Sequence, residues 1–396
     1  MRYRGSAPAS ITTARMPPKE RRPGRARARW PVTSSASTTT RRDFLKLVGG
    51  GAALAGLWPV SAVAGAVSAV PGTPASALPT AASTLPNTHL AWVWQFSTDG
   101  TPETIRDTLA AYGMGVALKT HDGVEWMAKY DRSAAAVSGP ARIEELAEFF
   151  ESGGVPFHAW AVVHGSDPAR EASMAAQVLR AGARTIALDL ESYRGFWVGT
   201  AAKARQYGEI LRSAQPDKGV LTTLDARPWE MDRIPLKEFA AFSDAVAPQV
   251  YWSDFGTAAN ITKYWIAGDI PGSEGVTARF ALDAAARKLQ TLQLPIYPIG
   301  PGFVKDSVAW TQFIERSFAH EARAISTWRY GTTTPAVFAM LRDNPPKVDR
   351  IYTVQPGDSL GYIAITYGTT VEGLMKKNGI TNPDLINIGQ ELIVPG

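Results

Sequence analysis

Short apolar runs recur through the middle of the chain and alternate with stretches in which apolar residues repeat every three to four positions. Short runs rich in β-branched and aromatic residues are typical of buried strands, and the longer repeat is typical of helices that bury one face. We predict eight strands, at residues 90–96, 115–119, 156–163, 184–190, 219–224, 245–251, 295–299 and 322–328. The helices predicted between them include residues 102–112, 141–151, 168–181, 201–214 and 276–292.

This alternation predicts an α/β fold with parallel strands, because parallel neighbours need a crossover that usually contains a helix. Eight such units within residues 88–344 fit a (β/α)8 barrel of the TIM type. A doubly wound open sheet is the alternative. No GxGxxG motif follows the first strand and no Walker motif occurs, so nucleotide binding has little support.

A different pattern fills the last part of the chain. Residues 352–354 predict a short strand, and Ser359 can cap a helix that follows a turn containing proline and glycine. The two helices predicted next turn one apolar face inward, formed by Leu360, Ile363, Ala364, Val371, Leu374 and Met375. Asn382 and Pro383 are expected to end the second helix, and residues 391–395 predict a second strand. The order of elements is therefore βααβ.

Residues 351–395, from YTVQPGDSLGYIA to NPDLINIGQELIVP, closely resemble the LysM family. The resemblance implies a module that binds N-acetylglucosamine-containing glycans, either peptidoglycan or chitin, in a shallow groove between two loops. Carried onto this sequence, the loop residues are Gly357, Asp358, Ser359, Leu360, Pro383, Asp384, Leu385 and Ile386. The alternative is that these residues only shape the turns. Binding by one small module is expected to be weak and to be strengthened by many sites on one wall.

Positive charge is concentrated at the amino-terminal end. Residues 1–64 hold twelve lysines and arginines but two acids, whereas the remaining residues hold more acids than bases, so the positive net charge of the chain (+5) comes from this segment. We therefore expect no nucleic-acid partner. The absence of cysteine excludes a disulfide scaffold, a thiolate metal site and a cysteine nucleophile. Five scattered histidines without an HExxH motif predict no metal site, and we expect no cofactor.

Residues 40–46, TRRDFLK, carry a twin-arginine export signature, and the apolar run that follows ends in small residues. We predict a basic disordered region at 1–39, a signal peptide for the twin-arginine export machinery at 40–65, and a flexible linker at 66–87. A transmembrane anchor is the alternative, but the apolar run is shorter than the roughly 20 residues that span a bilayer. We expect an exported protein of the cell wall, periplasm or medium, without a permanent membrane anchor.

Two acids lie at the end of the fourth predicted strand, where barrels of this kind place their functional groups. Asp189 and Glu191 are two positions apart, so both side chains point to the same side, with α-carbons about 6.5 Å apart. A like charge and an aromatic surrounding raise the pKa of a carboxyl group, which suits a general acid in glycoside hydrolysis. The alternative is an ion-paired strand end, with Arg194 or Arg227 as the partner.

Other strand ends carry aromatic and polar side chains that suit a sugar. Gln249 and Tyr251 share a face at the sixth strand, Trp328 ends the eighth and Trp94 lies near the end of the first. Asp225, at the end of the fifth strand, is either a substrate contact or a helix cap. The alternative for Tyr251 and Trp328 is packing in the upper core of the barrel.

The Asp-x-Glu on strand four, the Gln-x-Tyr on strand six and the Trp on strand eight resemble retaining glycoside hydrolase barrels. The resemblance is both to chitinase-like enzymes and to glycoside hydrolase family 25 lysozymes. It implies that Glu191 is the catalytic acid, that Asp189 orients the acetamido group of the substrate, that Tyr251 bonds it and that Trp328 floors the sugar site. Two acids of the longer chitinase pattern are replaced by Arg184 and Ala187, and the acid nearest the end of strand one is Asp99.

Two functions remain open at this point. One is a hydrolase of N-acetylhexosamine glycans that is tethered by the LysM module. The other is a glycan-binding or wall-scaffold protein with an inactive barrel.

Overall fold

The computed structural model describes residues 85–395. The predicted basic region and signal peptide lie outside this range, as does the predicted linker up to residue 84. Within the described range, no helix combines the length and the hydropathy needed to cross a bilayer.

Nine strands form the large sheet of the first part of the structure: β1 (Leu90–Val93), β2 (Gly115–Asp122), β3 (Glu125–Trp126), β4 (Phe157–Val162), β5 (Thr185–Asp189), β6 (Gly219–Asp225), β7 (Ala245–Gln249), β8 (Ile299–Pro301) and β9 (Ser326–Trp328). Eight of them are parallel, and β3 is a short antiparallel extension of β2. Leu90 of β1 is paired with Gly115 of β2 on one side and with Ser326 of β9 on the other. The sheet therefore closes into a barrel, which confirms the prediction and excludes the open-sheet alternative.

Twelve helices accompany the barrel: α1 (Phe96–Asp99), α2 (Pro102–Ala111), α3 (Pro140–Ser152), α4 (Pro168–Arg180), α5 (Ala201–Ala214), α6 (Pro228–Met231), α7 (Leu236–Ala240), α8 (Trp252–Phe255), α9 (Ala258–Ile266), α10 (Ala278–Leu289), α11 (Ser307–Ala319) and α12 (Pro335–Asp343). Short 3-10 turns lie at Met127–Lys129, Gln290–Leu292 and Tyr330–Thr332. Side-chain caps begin several helices: Thr200 accepts from the amide of Lys203, and Asp306 accepts from those of Val308 and Ala309.

Alternating side chains give the barrel two apolar layers. One face of the strands packs outward against the helices, with large buried side chains such as Phe157 and Trp310. The other face fills the barrel interior, where Trp92 and Trp160 are combined with small side chains such as Ala187. This filled interior leaves open space only at the ends of the barrel.

Several strands differ from the prediction in their bounds, and for two of them the reason is local. The first stops at Val93, because the carboxylate of Asp99 accepts from the backbone amides of Trp94 and Gln95 and the chain turns into α1. The strand predicted at 295–299 is observed as β8, at Ile299–Pro301. Pro295 and Pro298 have no amide hydrogen to donate to a neighbouring strand, and Ile296 makes only an isolated bridge.

The last part of the structure is a small βααβ module, as predicted. Antiparallel β10 (Arg350–Thr353) and β11 (Glu391–Val394) enclose α13 (Leu360–Thr366) and α14 (Val371–Asn378). Its core contains Val354, Leu360, Ile363, Ala364, Leu374, Leu392 and Val394. The hydroxyl of Ser359 caps α13 by accepting from the amide of Tyr362 (3.2 Å).

The predicted end of the second helix of this module was wrong. Helix α14 ends at Asn378, and Gly379 follows in the left-handed conformation with φ of 63°. Glycine reaches this conformation without steric cost, so the helix ends before Asn382 and Pro383.

Candidate active site at the mouth of the barrel

A cavity of about 430 Å³ opens at the carboxyl ends of the barrel strands. It is lined by Trp92, Trp94, Lys119, Asp122, Trp160, Val162, Asp189, Glu191, Gly195, Phe196, Gln249, Tyr251, Ile299 and Trp328. Six of the seven barrel residues singled out from the sequence line this one cavity, and Asp225 does not. Strands that are distant along the chain therefore bring carboxylates, an amide and aromatic rings into one pocket.

The side-chain amide of Gln249 bridges the two acids. Its Nε2 donates to Asp189 Oδ1 (2.9 Å) and to Glu191 Oε1 (3.0 Å). Asp189 is the last residue of β5, Glu191 is two positions further on, and Gln249 ends β7. One amide nitrogen carries two hydrogens, so each carboxyl group receives one hydrogen bond. This contact fixes the acids on one side of the cavity.

The alternative of an ion-paired strand end is not observed among residues 85–395. Neither Asp189 nor Glu191 lies within ion-pair distance of an arginine, and Arg227 pairs with Asp225 instead. The two acids therefore face each other and the cavity without a salt-bridge partner.

Burial shifts the protonation of both acids in the same direction. Removal from water raises the pKa of Asp189 well above its ordinary value, and the neighbouring Glu191 raises it further. Burial also raises the pKa of Glu191, to about 7, against the hydrogen bond from Gln249, which lowers it. Two acids that share a low-dielectric cavity cannot both ionise easily, so the pair holds a proton near neutral pH. Such a pair supplies one proton donor and one carboxylate.

Three tryptophans form a connected floor below the acids. The ring centroid of Trp160 lies 5.4 Å from that of Trp92 and 5.5 Å from that of Trp328. The indole of Trp92 donates to Ser326 Oγ (2.9 Å), and that of Trp160 donates to the carbonyl of Val93 (3.0 Å). These contacts hold the half-buried Trp328 against a rigid base. An aromatic face in this position suits the C–H surface of a sugar ring.

Trp94 forms the rim of the cavity and is 37% exposed. The guanidinium of Arg329 lies 5.7 Å from its ring centroid and is itself paired with Asp99. Asp99 is buried behind the rim and bonds the backbone of Trp94. This acid therefore supports the rim and does not line the cavity.

Asp225 is held by its neighbours outside the cavity. Its carboxylate accepts from the hydroxyl of Tyr193 (2.8 Å), and from the backbone amide (2.9 Å) and guanidinium of Arg227. The contact with the amide of Arg227 closes a turn just before α6, whose N-cap residue is Arg227 without a side-chain cap hydrogen bond. Asp225 therefore does not cap α6, and its carboxylate is held outside the cavity.

Lys119, Asp122 and His164 form a charged wall that the sequence did not reveal. Lys119 Nζ donates to Asp122 Oδ2 (2.6 Å), and His164 Nε2 donates to Asp122 Oδ1 (2.8 Å). Hydrogen bonding to Asp122 raises the pKa of His164. Although burial opposes it, the contacts with His164 and Lys119 lower the pKa of Asp122. Asp122 is therefore a carboxylate held between the ammonium group of Lys119 and the imidazole of His164.

An irregularity in β2 places these residues. The register against β4 shifts between Lys119 and His121, so that Asp122 is level with Val162 of the barrel interior. Strict alternation would have turned His121 inward with Lys119. Instead His121 is buried beside Trp126, and burial lowers its pKa to about 3. The signal in the sequence was the polar run at 119–122, but a bulge cannot be located from it.

Two of the histidines, His158 and His164, lie at opposite ends of strand β4. His158 is buried in β4, where Nδ1 lies 2.8 Å from Thr185 Oγ1 and burial lowers its pKa to about 3. His164 lies at the mouth, beyond the other end of that strand. No group of three His, Asp or Glu side chains among residues 85–395 has the spacing of a metal site.

The loop residues predicted in the small module have different environments. Asp358 accepts from the hydroxyl of Tyr352 (2.6 Å) and the amide of Gln355 (2.7 Å), and Gly357 has φ of 91°. Leu360 is buried, and Ile386 is half-buried against the same core. The exposed members are Gly357, Ser359, Pro383, Asp384 and Leu385, the last at 69%. The exposed surface of these loops is therefore small and partly apolar.

Residues 352–395 match the family described as LysM domain. The C-terminal module is a LysM domain. Over 51 residues the chain is 51% identical to an uncharacterised protein of Deinococcus radiodurans, which covers 12% of this chain and 20% of that protein. Over 45 residues it is 56% identical to N-acetylmuramoyl-L-alanine amidase sle1 of Staphylococcus epidermidis, which covers 11% of this chain and 14% of the amidase. The chain therefore spans about a fifth or less of the length of these relatives.

Solved structures with a similar arrangement include glycan hydrolases. The catalytic domain of the Pyrococcus furiosus chitinase has a TM-score of 0.44 and 15% identity, over 67% of this chain and 98% of that domain. A glycoside hydrolase family 18 N-acetylglucosaminidase of Paenibacillus barengoltzii has a TM-score of 0.45 and 10% identity, over 65% and 99%. The spore cortex-lytic enzyme SleL of Bacillus cereus has a TM-score of 0.40 and 12% identity, over 65% and 74%.

Proposed function

We propose that this protein is an exported glycoside hydrolase that cleaves N-acetylglucosamine-containing wall glycan, either peptidoglycan or chitin, while its LysM domain holds that glycan. The observation that carries the proposal is the pair Asp189 and Glu191, bridged by Gln249 in a cavity with an aromatic floor. A shared proton, a carboxylate and a surface for a sugar ring are the groups that retaining hydrolysis needs.

In the proposed reaction the substrate supplies its own nucleophile. The acetamido oxygen forms a bond to the anomeric carbon while the glycosidic C–O bond breaks, and Glu191 gives its proton to the leaving oxygen. Asp189 orients the acetamido group and balances the positive charge that develops on it. Water then attacks the anomeric carbon, the bond from this carbon to the acetamido oxygen breaks, and the water gives a proton to Glu191, so the acid is restored and the configuration is retained.

Two aromatic residues complete the proposed site. Tyr251 lies beside the acids, and burial and their charges raise the pKa of its phenol, which keeps it a hydrogen-bond donor to the acetamido group. Trp328 offers its face to the sugar ring, supported by Trp92 and Trp160. Trp94 and Gln249 are the remaining proposed substrate contacts.

The LysM domain is proposed to concentrate the barrel on its substrate. The domain ranges we propose are 88–344 for the barrel and 351–395 for the LysM domain. A tethered barrel acts at the effective concentration of the wall glycan rather than of free fragments, so weak binding by one module is sufficient. The Staphylococcus relative is named for an amidase, and the likeness to it is confined to about 45 residues.

One observation favours the second candidate, a glycan-binding protein with an inactive barrel. Arg184 and Ala187 occupy positions where the chitinase pattern has acids. Arg184 pairs with Glu151 (2.6 Å) at the start of β5, and Ala187 packs inside the barrel. Asp189 therefore has no second acid below it on the same strand.

Hydrolysis of insoluble substrates separates the two candidates. The full chain is incubated with peptidoglycan, followed by turbidity, and with dyed chitin, followed by release of colour. Activity that disappears with Glu191→Gln supports the hydrolase. Binding to both polymers without turnover by the parent protein supports the scaffold.

A further inference from the structure

Lys119 places a buried positive charge in the wall of the cavity. The residue is 6% exposed, and its ammonium group lies 2.6 Å from Asp122 and 5.0 Å from the centroid of the Trp160 ring. Burying a cation is costly unless a counter-ion and an aromatic face compensate for the lost water. Asp122 is held in turn by His164 (2.8 Å). The position of the Lys119 charge is therefore well defined.

The register of the barrel places Lys119 two strands away from Asp189, in the wall of the same cavity. Asp122 is level with Val162 of β4, and Val162 is level with Asp189 of β5. Lys119 is level with Trp160 and Ala187, which is one inward-facing position below Asp189. The side of the cavity that contains Asp189 thus carries a cation in its wall.

The side that contains Glu191 is different. Asp225 is level with Gln249, and it is paired with Arg227 behind the cavity surface. Neither Asp225 nor Arg227 lines the cavity. Among the described residues that line it, Lys119 is the one cationic side chain. The two acids share the amide of Gln249 but have different charged neighbours, which include Lys119 for Asp189 and the Asp225–Arg227 pair for Glu191.

We propose that Lys119 is a positioning residue whose charge opposes the effect of burial on Asp189 and so shifts the proton shared by the pair towards Glu191. Its consequence for turnover rests on the proposed hydrolase function, whereas the distribution of the proton does not. Asp122 and His164 hold the ammonium group in place.

The charges around each acid support this division. Burial and Glu191 raise the pKa of Asp189, while Lys119 and the Gln249 hydrogen bond lower it, and Asp122 raises it. For Glu191, burial raises the pKa, Gln249 lowers it, Asp225 raises it, Arg227 lowers it and Glu230 raises it. Lys119 thus acts against burial at the acid that is more deeply buried.

Carboxyl-carbon NMR on the full chain tests the proposal without requiring activity. The signals of Asp189 and Glu191 are assigned with Asp189→Asn and Glu191→Gln and titrated in the parent and in Lys119→Gln. Glutamine keeps a hydrogen-bond donor for Asp122 and removes the charge. Because the Lys119 charge lowers the pKa of Asp189, we expect the Asp189 titration to move to higher pH in Lys119→Gln. An unchanged Asp189 titration overturns the proposal.

Matched variants exclude a purely structural effect. Lys288 makes a surface pair with Asp232 at the same distance of 2.6 Å, so Lys288→Gln is the control and should leave both titrations in place. Lys119→Arg keeps the charge and should restore the parent titration. If Lys119→Gln does not fold, Lys119→Met serves in its place with the same expected shift.

Turnover provides a second readout where the parent hydrolyses glycan. In Lys119→Gln, kcat should fall roughly tenfold or more, while KM changes little. This is the effect of a roughly tenfold drop in the ratio of ionised to protonated Asp189. The lower limb of the pH profile of kcat should move to higher pH, and Lys119→Arg should restore it. A parent without activity contradicts the proposed function, whereas an unmoved Asp189 titration contradicts only the role of Lys119.

Discussion

Replacing Glu191 with Gln removes the transferable proton and leaves the shape of the side chain nearly unchanged. The pKa of Glu191 is raised to about 7, mainly by burial, so the group is largely protonated below neutral pH. The amide of Gln249 donates to Glu191 Oε1 (3.0 Å), and the amide oxygen of the new glutamine can accept the same bond. The variant therefore loses the acid without losing its main contact.

Loss of a general acid reduces turnover by about 100-fold or more, which corresponds to roughly 2.7 kcal/mol in the activation free energy. Initial rates on a soluble chitin oligosaccharide at pH 6 measure this change in kcat. Binding of the oligosaccharide and the melting temperature should stay close to the parent values. Asp189→Asn should also lower kcat, because the acetamido group loses its orienting carboxylate.

An exposed acid on the outer helix α5 gives the matched control. Glu209→Gln makes the same chemical change far from the cavity and should leave kcat unchanged. A Glu191→Gln protein that hydrolyses at the parent rate would refute the assignment of the acid.

The remaining predictions concern stability, wall binding and export. Because the folded protein raises the carboxyl pKa values of Asp189 and Glu191, it binds a proton more tightly than the unfolded chain, and stability falls as pH rises through the window from about 4.5 to 7. Thermal unfolding across this window should show a smaller decline in the double variant Asp189→Asn/Glu191→Gln, and equal declines would contradict the shared-proton interpretation. Removal of residues 351–396 should lower the affinity of the protein for insoluble peptidoglycan or chitin, measured as the amount retained in a pull-down. Unchanged retention would argue against the LysM role. Changing Arg41 and Arg42 together to Lys should trap the precursor in the cytoplasm, and continued export in cell fractionation would point to another route.

The barrel was predictable because its strands are short apolar runs at regular spacing, and eight of them with helices between leave few architectures. The ends of the strands were less predictable. The first stops at Val93 because a distant carboxylate, that of Asp99, takes its backbone amides. In the strand predicted at 295–299, prolines at 295 and 298 shift the observed pairing to Ile299–Pro301. Such competition for backbone hydrogen bonds depends on tertiary contacts.

The convergence of Asp189, Glu191, Gln249, Tyr251 and Trp328 followed from two simple rules. Side chains alternate along a strand, and parallel strands end at the same side of a barrel. The rules say which residues meet, but not which hydrogen bonds form between them. The bridging role of Gln249 therefore required side-chain geometry.

The charged wall was not predicted, because β2 contains one extra residue between Lys119 and His121. Alternation without a bulge pairs Lys119 with His121, whereas the register shift in β2 turns Asp122 inward instead. Asp225 was predicted to be near the site because it lies at a strand end. In the structure Arg227, two positions later, binds its carboxylate outside the cavity. Local partners of this kind override a pattern based on strand position alone.

The anomeric form of the first product tests the central claim most directly. Proton NMR during hydrolysis of a β-linked N-acetylglucosamine oligosaccharide by the full chain distinguishes the two anomers before they equilibrate. Attack by the substrate's own acetamido group, with Glu191 as the acid, predicts that the β anomer appears first. Early formation of the α anomer, or no cleavage of N-acetylglucosamine polymers at all, would contradict the account.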